Sequence, residues 1–208
     1  MEDSPLALSE VILPVPGKTI LQDTVSQGVS LASELLYHAA LQEYPDKPLK
    51  VLELGSGCGI ISIMCALHRP SWQITGIEIQ SPLVELAIAN AKRCEVPVSF
   101  VQGDLRTSQG KYDLILSNPP WMKARQGLLS PHQSRNLSKF EQSCTMADVL
   151  ETLSRCLKPQ GEALLLYPES RLADLYRAIT KTFLDINIVH SHYGKKAFFV
   201  SKLRLQEQ

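Results

Sequence analysis

An apolar run from Leu49 to Leu54 ends directly in Gly55-Ser56-Gly57-Cys58-Gly59, and Ile60, Ile63, Met64 and Leu67 then recur on one helical face. Few local patterns constrain a chain so strongly. A strand, a loop that must turn sharply and a helix that leaves at once make up the first unit of a parallel α/β sheet. The alternation continues. Residues 73–79 read as a second strand, and Ser81-Pro82 as N-cap and first turn of a helix striped by Val84, Ala87, Ile88 and Ala91. Residues 98–101 and 112–116 read as a third and a fourth strand. Thr145 with Asp148 forms a capping box for a helix on Met146, Val149, Leu150, Leu153 and Leu157, which Lys158-Pro159-Gln160-Gly161 stops. Residues 162–167 make a fifth strand, and Ser170 caps a helix that turns Leu172, Leu175, Tyr176 and Ile179 inward. The runs 186–190 and 197–203, joined by a turn around Gly194, are too close for a crossover helix and should pair antiparallel. The expected fold is α/β, a doubly wound Rossmann-like sheet with a C-terminal antiparallel hairpin, with ligands outside the carboxyl ends of its strands.

The 208 residues suit one core. Residues 1–22, with Pro5, Pro14, Pro16 and Gly17, show no sustained period and read as an extended lead-in. Residues 23–208 form a single domain, opened by a helix on Ala32, Leu35, Leu36 and Ala39 that Asp46-Lys47-Pro48 closes. A hydrophobic share of 44% and a charged share of 20% exclude disordered and coiled-coil classes. The longest near-continuous apolar stretch, residues 59–67, is half a membrane span, and Met1-Glu2-Asp3 carries the wrong charge for a secretory signal. A cytoplasmic protein without membrane attachment is expected. Five cysteines with no CxxC pair and no nearby histidine pair offer neither a zinc site nor a disulfide framework, so no metal is expected. Twenty-one basic residues balance twenty-one acidic ones, which excludes a polycation built for non-specific nucleic-acid binding. Residues 114–140 nevertheless contain no acid, and they carry Lys123, Arg125, Arg135 and Lys139.

The glycine loop narrows the ligand. A dinucleotide fingerprint begun at Gly55 needs glycine at position 60, where Ile60 stands, so the spacing is GxGxG and a pyrophosphate fits poorly. Glu53, just before the glycines, favours a cationic ligand, and S-adenosylmethionine carries a sulfonium and an ammonium. Glu78, at the end of the second strand, stands where a carboxylate accepts both ribose hydroxyls, with Ile79 beside it. Asp104 and the main-chain N–H of Leu105 follow the third strand, placed to read an adenine edge. A tight turn and two surface acids would account for any one of these features alone, but hardly for three in register after three successive strands. The loop from Glu53 to Gly59, Glu78 and Asp104 resembles the cofactor motifs of class I S-adenosylmethionine-dependent methyltransferases. That resemblance implies a seven-stranded sheet with a reversed final strand. It also implies S-adenosyl-L-methionine as cofactor, held by Glu53, Gly55, Ser56, Gly57, Cys58, Gly59, Glu78, Ile79, Asp104, Leu105 and Asn118, and by Gln27 where the family favours aspartate.

Asn118-Pro119-Pro120-Trp121 ends the fourth strand. Two prolines stiffen this turn. An amide or exocyclic amino nitrogen is a poor nucleophile because its lone pair is delocalised. If the Asn118 side-chain oxygen and the Pro119 carbonyl accept its two N–H bonds, the nitrogen can pyramidalise towards a methyl donor while Trp121 stacks on the flat group. The motif resembles the Asn-Pro-Pro-aromatic signature of amino-methyltransferases acting on adenine N6, guanine N2 or glutamine N5. The segments around Gly127 to Pro131, Ser138 to Thr145, Leu157 to Gly161 and Tyr167 to Leu172 further resemble the bacterial valine-tRNA adenine-N6 methyltransferases, from which the chain departs at Phe140, Gln27 and Trp121. This implies an RNA substrate, with Lys123, Arg125, Arg135 and Lys139 on its phosphates. Two alternatives stay open: glutamine-N5 methylation of a protein, and a cofactor-binding subunit that needs a partner for activity. The oligomeric state is not legible.

Overall fold

A computed structural model describes residues 6–25, 28–122, 144–192 and 196–206. Gln27, Lys123, Arg125, Arg135 and Lys139 lie outside the described residues.

The chain runs β1 (Leu8–Ile12), β2 (Thr19–Asp23), α1 (Leu31–Glu43), β3 (Leu49–Leu54), α2 (Ile60–His68), β4 (Trp72–Glu78), α3 (Ser81–Cys94), β5 (Ser99–Gln102) and β6 (Tyr112–Ser117). It continues with α4 (Met146–Cys156), β7 (Leu157–Pro168), α5 (Leu172–Ile179), β8 (Leu184–His192) and β9 (Phe198–Leu205). Seven strands form one sheet in the order β5-β4-β3-β6-β7-β9-β8. The pairs from β5 to β7 are parallel, while β9 runs antiparallel to both β7 and β8. The sheet, its crossovers and its reversed last strand are those expected from the sequence. The order reverses at β3, so β4 and β6 flank it and the loops after these three strands open onto one crevice.

Alternation along the central strands feeds two cores. Val51, Leu114, Leu116 and Leu164 face the layer of α1, α2 and α3, whereas Leu52, Ile115, Ala163 and Leu165 face α4 and α5. Each such side chain, fully withdrawn from water, contributes about 1.5–3 kcal/mol if large and apolar. Among the described residues no helix is long and apolar enough to cross a membrane.

Several local expectations are corrected. The extended lead-in pairs on itself, a feature the sequence reading did not include: β1 and β2 close an antiparallel hairpin whose turn holds Pro14, Pro16 and Gly17. Asn90 binds it to α3: its Oδ1 accepts from Leu21 N at 2.8 Å, and its Nδ2 donates to Leu21 O at 2.7 Å. The α3 N-cap is Gln80, and Ser81 is already helical. On the same helix Ile88 is 51% exposed, because the buried face is centred on Leu83, Ala87, Asn90 and Cys94. Ser170 caps nothing: residues 169–171 form a 3-10 turn, α5 starts at Leu172 without a side-chain cap, and Tyr176 is 46% exposed. Lys158 to Gly161 do end α4, but they also lie within β7, where the pairing jumps from Tyr112↔Leu157 to Leu114↔Glu162.

Candidate active site

The loop between β3 and α2 is shaped by three glycines at positive φ: Gly55 at 73°, Gly57 at 53° and Gly59 at 86°. The chain folds back there onto β4, with Gly55 N and Ser56 N both donating to Ile77 O at 2.9 and 3.0 Å. Gly57 N donates to Glu78 Oε2 at 3.0 Å, while Gln80 N donates to Oε1 at 3.1 Å. Glu78 therefore braces the loop as well as facing the crevice. From the hairpin side, Asn90 Nδ2 donates to Cys58 O at 2.9 Å.

These loops wall a cleft that encloses about 940 Å³ with its open mouth included. Of the expected cofactor residues, Glu53, Gly55, Ser56, Gly57 and Cys58 line it from the first loop. Glu78 and Ile79 line it after β4, and Asp104 and Leu105 after β5. Asn118, Pro119 and Pro120 come in from the end of β6. Gly59 stands behind the lining. Trp121 is also outside it, its ring edge-on to Phe198 with centroids 6.3 Å apart. The lining further includes Gly28 and Ser33 from the start of α1, Gln80 and Leu83 from α3, and Cys144 before α4, none of which the sequence reading singled out. Ser33 left a trace, a serine on a helix face shared with Leu36, Tyr37 and Ala40. Cys144 left none, since the chain before α4 has no period.

The cleft's polar groups suit a nucleoside carrying a charged tail. Ser56 Oγ and Asn118 Oδ1 are buried without a partner among the described residues, and each such atom costs about 1–3 kcal/mol until a ligand satisfies it. The N-terminus of α2 opens at the glycine loop and favours a carboxylate. Glu53 sits beneath, 1% exposed, its Oε2 accepting from Ser62 N at 3.1 Å and from the Ser62 hydroxyl. Burial raises its carboxyl to about 8, the Ser62 bonds opposing this only in part. Burial likewise pushes Glu78 up, against the Gln80 and Gly57 N–H groups. The Cys58 thiol is pushed up to about 11 by burial and stays protonated, so it packs rather than reacts. Asp104 behaves differently, because Arg106 Nε donates to both its oxygens at 2.9 Å and holds it below the usual carboxylate range. An adenine read by Asp104 would share the carboxylate with Arg106.

A raised Glu53 links protons to ligand binding. Relative to an unfolded value of 4.5, its stabilising contribution is complete below that pH and is lost as pH rises through about 8. A cation in the cleft prefers the ionised carboxylate, so its affinity is expected to climb by up to about tenfold per pH unit and to level off above that midpoint. Calorimetry at pH 7 in buffers of different ionisation enthalpy should show close to one proton released per cofactor bound, and none for Glu53→Gln. Equal proton release in both proteins would place the cation elsewhere.

Fold and cleft together define a Rossmann-like α/β domain that takes a nucleoside-type ligand at the carboxyl ends of its parallel strands. Residues 25–134 match the family model of the methyltransferase small domain, and the chain belongs to that family. It is 30% identical over 154 residues to the tRNA1(Val) (adenine(37)-N6)-methyltransferase of Porphyromonas gingivalis, a match covering 67% of this chain and 60% of the relative. It is 35% identical over 91 residues to the release factor glutamine methyltransferase of Streptococcus pneumoniae, covering 43% of this chain and 33% of that one. The chain spans only 53–60% of the length of the tRNA-modifying relatives named first by similarity. Among solved structures, the Thermus thermophilus 16S rRNA N2 G1207 methyltransferase, in complex with AdoMet and guanosine, superposes with a TM-score of 0.67 at 17% identity. That match covers 98% of this chain and 52% of that one.

Proposed function

We propose that this chain is a cytoplasmic enzyme that methylates the exocyclic N6 of an adenine in tRNA, using S-adenosylmethionine. The observation that carries this reading is Asn118 Oδ1, a buried acceptor without a partner among the described residues, facing the cleft from a turn stiffened by two prolines. The cofactor supplies an electrophilic methyl group on a sulfonium.

Glu78 would accept the ribose hydroxyls, Glu53 would face the ammonium, and the main-chain N–H groups at the start of α2 would hold the carboxylate. Asn118 Oδ1 and the Pro119 carbonyl accept the two N–H bonds of the target amine, whose lone pair is thereby freed from the ring. Held there, the target nitrogen would present that lone pair to the methyl group a bound cofactor would supply, and the proton it loses would leave to solvent. Alignment and preorganised acceptors supply the rate enhancement, with no covalent enzyme intermediate. The longer alignment with the tRNA-modifying relative and the basic, acid-free composition of residues 114–140 favour RNA over protein as substrate.

The test is transfer of labelled methyl to unmodified total tRNA and, separately, to a protein extract. Label recovered as N6-methyladenosine is the expected result. Label confined to protein glutamine would move this chain to the reaction named for the release-factor relative. Absence of label in both, with cofactor bound, would mean that a partner must present the substrate.

A further inference from the structure

The Asn-Pro-Pro-Trp turn is held at both ends by side chains that do not line the cleft. At its start Ser117 Oγ, fully buried, donates to Leu54 O at 2.9 Å, so the target turn and the glycine loop leave adjacent strands as one unit. At its end Arg171 Nη1 donates to the Trp121 carbonyl at 2.5 Å. Arg171 is 7% exposed, its guanidinium lies 5.9 Å from the centre of the Tyr167 ring, and its Nε donates to Asp174 Oδ2 at 3.0 Å. A charge is costly to bury unless its donors are used, and the planar guanidinium fork serves a carbonyl and a carboxylate at once in a way that an ammonium cannot.

We propose that Arg171 is a positioning residue for methyl transfer: by gripping the Trp121 carbonyl it fixes the Asn118-to-Trp121 turn and so sets where the Asn118 and Pro119 acceptors stand against the target nitrogen. Pro119 and Pro120 make the grip effective at a distance. Each locks its own φ and restricts the residue before it, so displacement of the Trp121 carbonyl is passed back to Asn118 rather than absorbed by the turn. Among the described residues Arg171 itself is absent from the cleft lining, and it holds the turn by the backbone. Its catalytic consequence rests on the methyl-transfer reading above, but the grip does not, and the two can be tested apart.

The chain has two tryptophans, Trp72 and Trp121, so Trp72→Phe leaves Trp121 as the only indole reporter. In that background Arg171→Ala is expected to red-shift the emission and raise its quenching by acrylamide, because the ring loses its seat against Phe198. In the otherwise unaltered protein, Arg171→Ala should lower kcat by about 10–100-fold through misplacement of the acceptors, with the Kd of S-adenosylmethionine and the KM for tRNA unchanged. Millimolar guanidinium should restore part of that kcat and leave the wild type unaffected. Arg171→Lys, which keeps the charge but loses the planar fork, should fall between the two, and it carries the same readouts if the alanine variant does not fold. Unchanged quenching of Trp121 overturns the proposal whatever the activity. So does a loss of cofactor affinity as large as the loss of kcat, since that would mark general disruption. If the wild type transfers no methyl to any substrate while Trp121 responds as described, the proposed function and the catalytic consequence fall and the grip stands.

Discussion

Asn118→Ala is expected to lower methyl transfer by about 10²–10³-fold, the cost of deleting one preorganised polar contact to a reacting group, while the Kd of S-adenosylmethionine changes little. The reason lies in where the atom is. Asn118 follows β6 in the cleft lining, its Oδ1 buried and without a partner among the described residues. On the proposed reading its principal bond is to the target amine, and that bond strengthens as the nitrogen pyramidalises. Truncation also removes a desolvated orphan from the unliganded protein, so thermal stability should stay level or rise slightly. Single-turnover rates and cofactor titrations on the same preparations decide it. A parallel fall in rate and cofactor affinity would show that Asn118 serves the cofactor instead.

Gly59→Ala should destabilise the fold by about 2–5 kcal/mol through two separable costs. At φ of 86° an alanine pays about 1–2 kcal/mol of left-handed strain. Its Cβ would also stand 2.7 Å from Phe100 Cζ and 3.2 Å from Ala87 Cβ, an overlap worth about 1–3 kcal/mol. Phe100 has little room to withdraw, because it is 7% exposed and its ring already fills the space beside Gly76, where a Cβ would come within 2.6 Å of Phe100 Cδ1. For a chain of this size the melting temperature should drop by about 5–15 °C. Cofactor affinity should fall with it, because Gly59 N closes the loop onto Ser56 O at 2.9 Å. Thermal unfolding with and without cofactor measures both effects. A loss below about 0.5 kcal/mol, the size of an ordinary surface substitution, would show that Phe100 has another rotamer to occupy.

Much of the site was legible because its chemistry is local. Glycines between an apolar run and a helical stripe specify a sharp turn wherever the chain goes next, and Glu78, Asp104 and Asn118 each stand at or just beyond the carboxyl end of a strand. Local cues failed where neighbours outvoted them. Ser170 is a good capping residue, yet Arg171 is drawn inward to Trp121 and Asp174, and the turn before α5 tightens to 3-10 geometry instead. Tyr176 falls at helical spacing but beyond the face that α5 presents to the core. The prolines of the lead-in hid a hairpin, because they occupy its turn and leave its strands short.

What the sequence determined by itself is the alternation of strands and helices from β3 onward, the antiparallel pairing of the last two strands and the glycine-loop wall of the cleft, since turn chemistry and periodicity act between near neighbours. Only the tertiary structure decided which distant groups brace that wall. Asn90 reaches both Leu21, 69 positions away, and Cys58, 32 away. Arg171 meets Trp121 across 50. Contacts of this kind leave no period in the chain, because their geometry exists only once the sheet has brought the strands side by side and burial has forced each polar atom to find a partner.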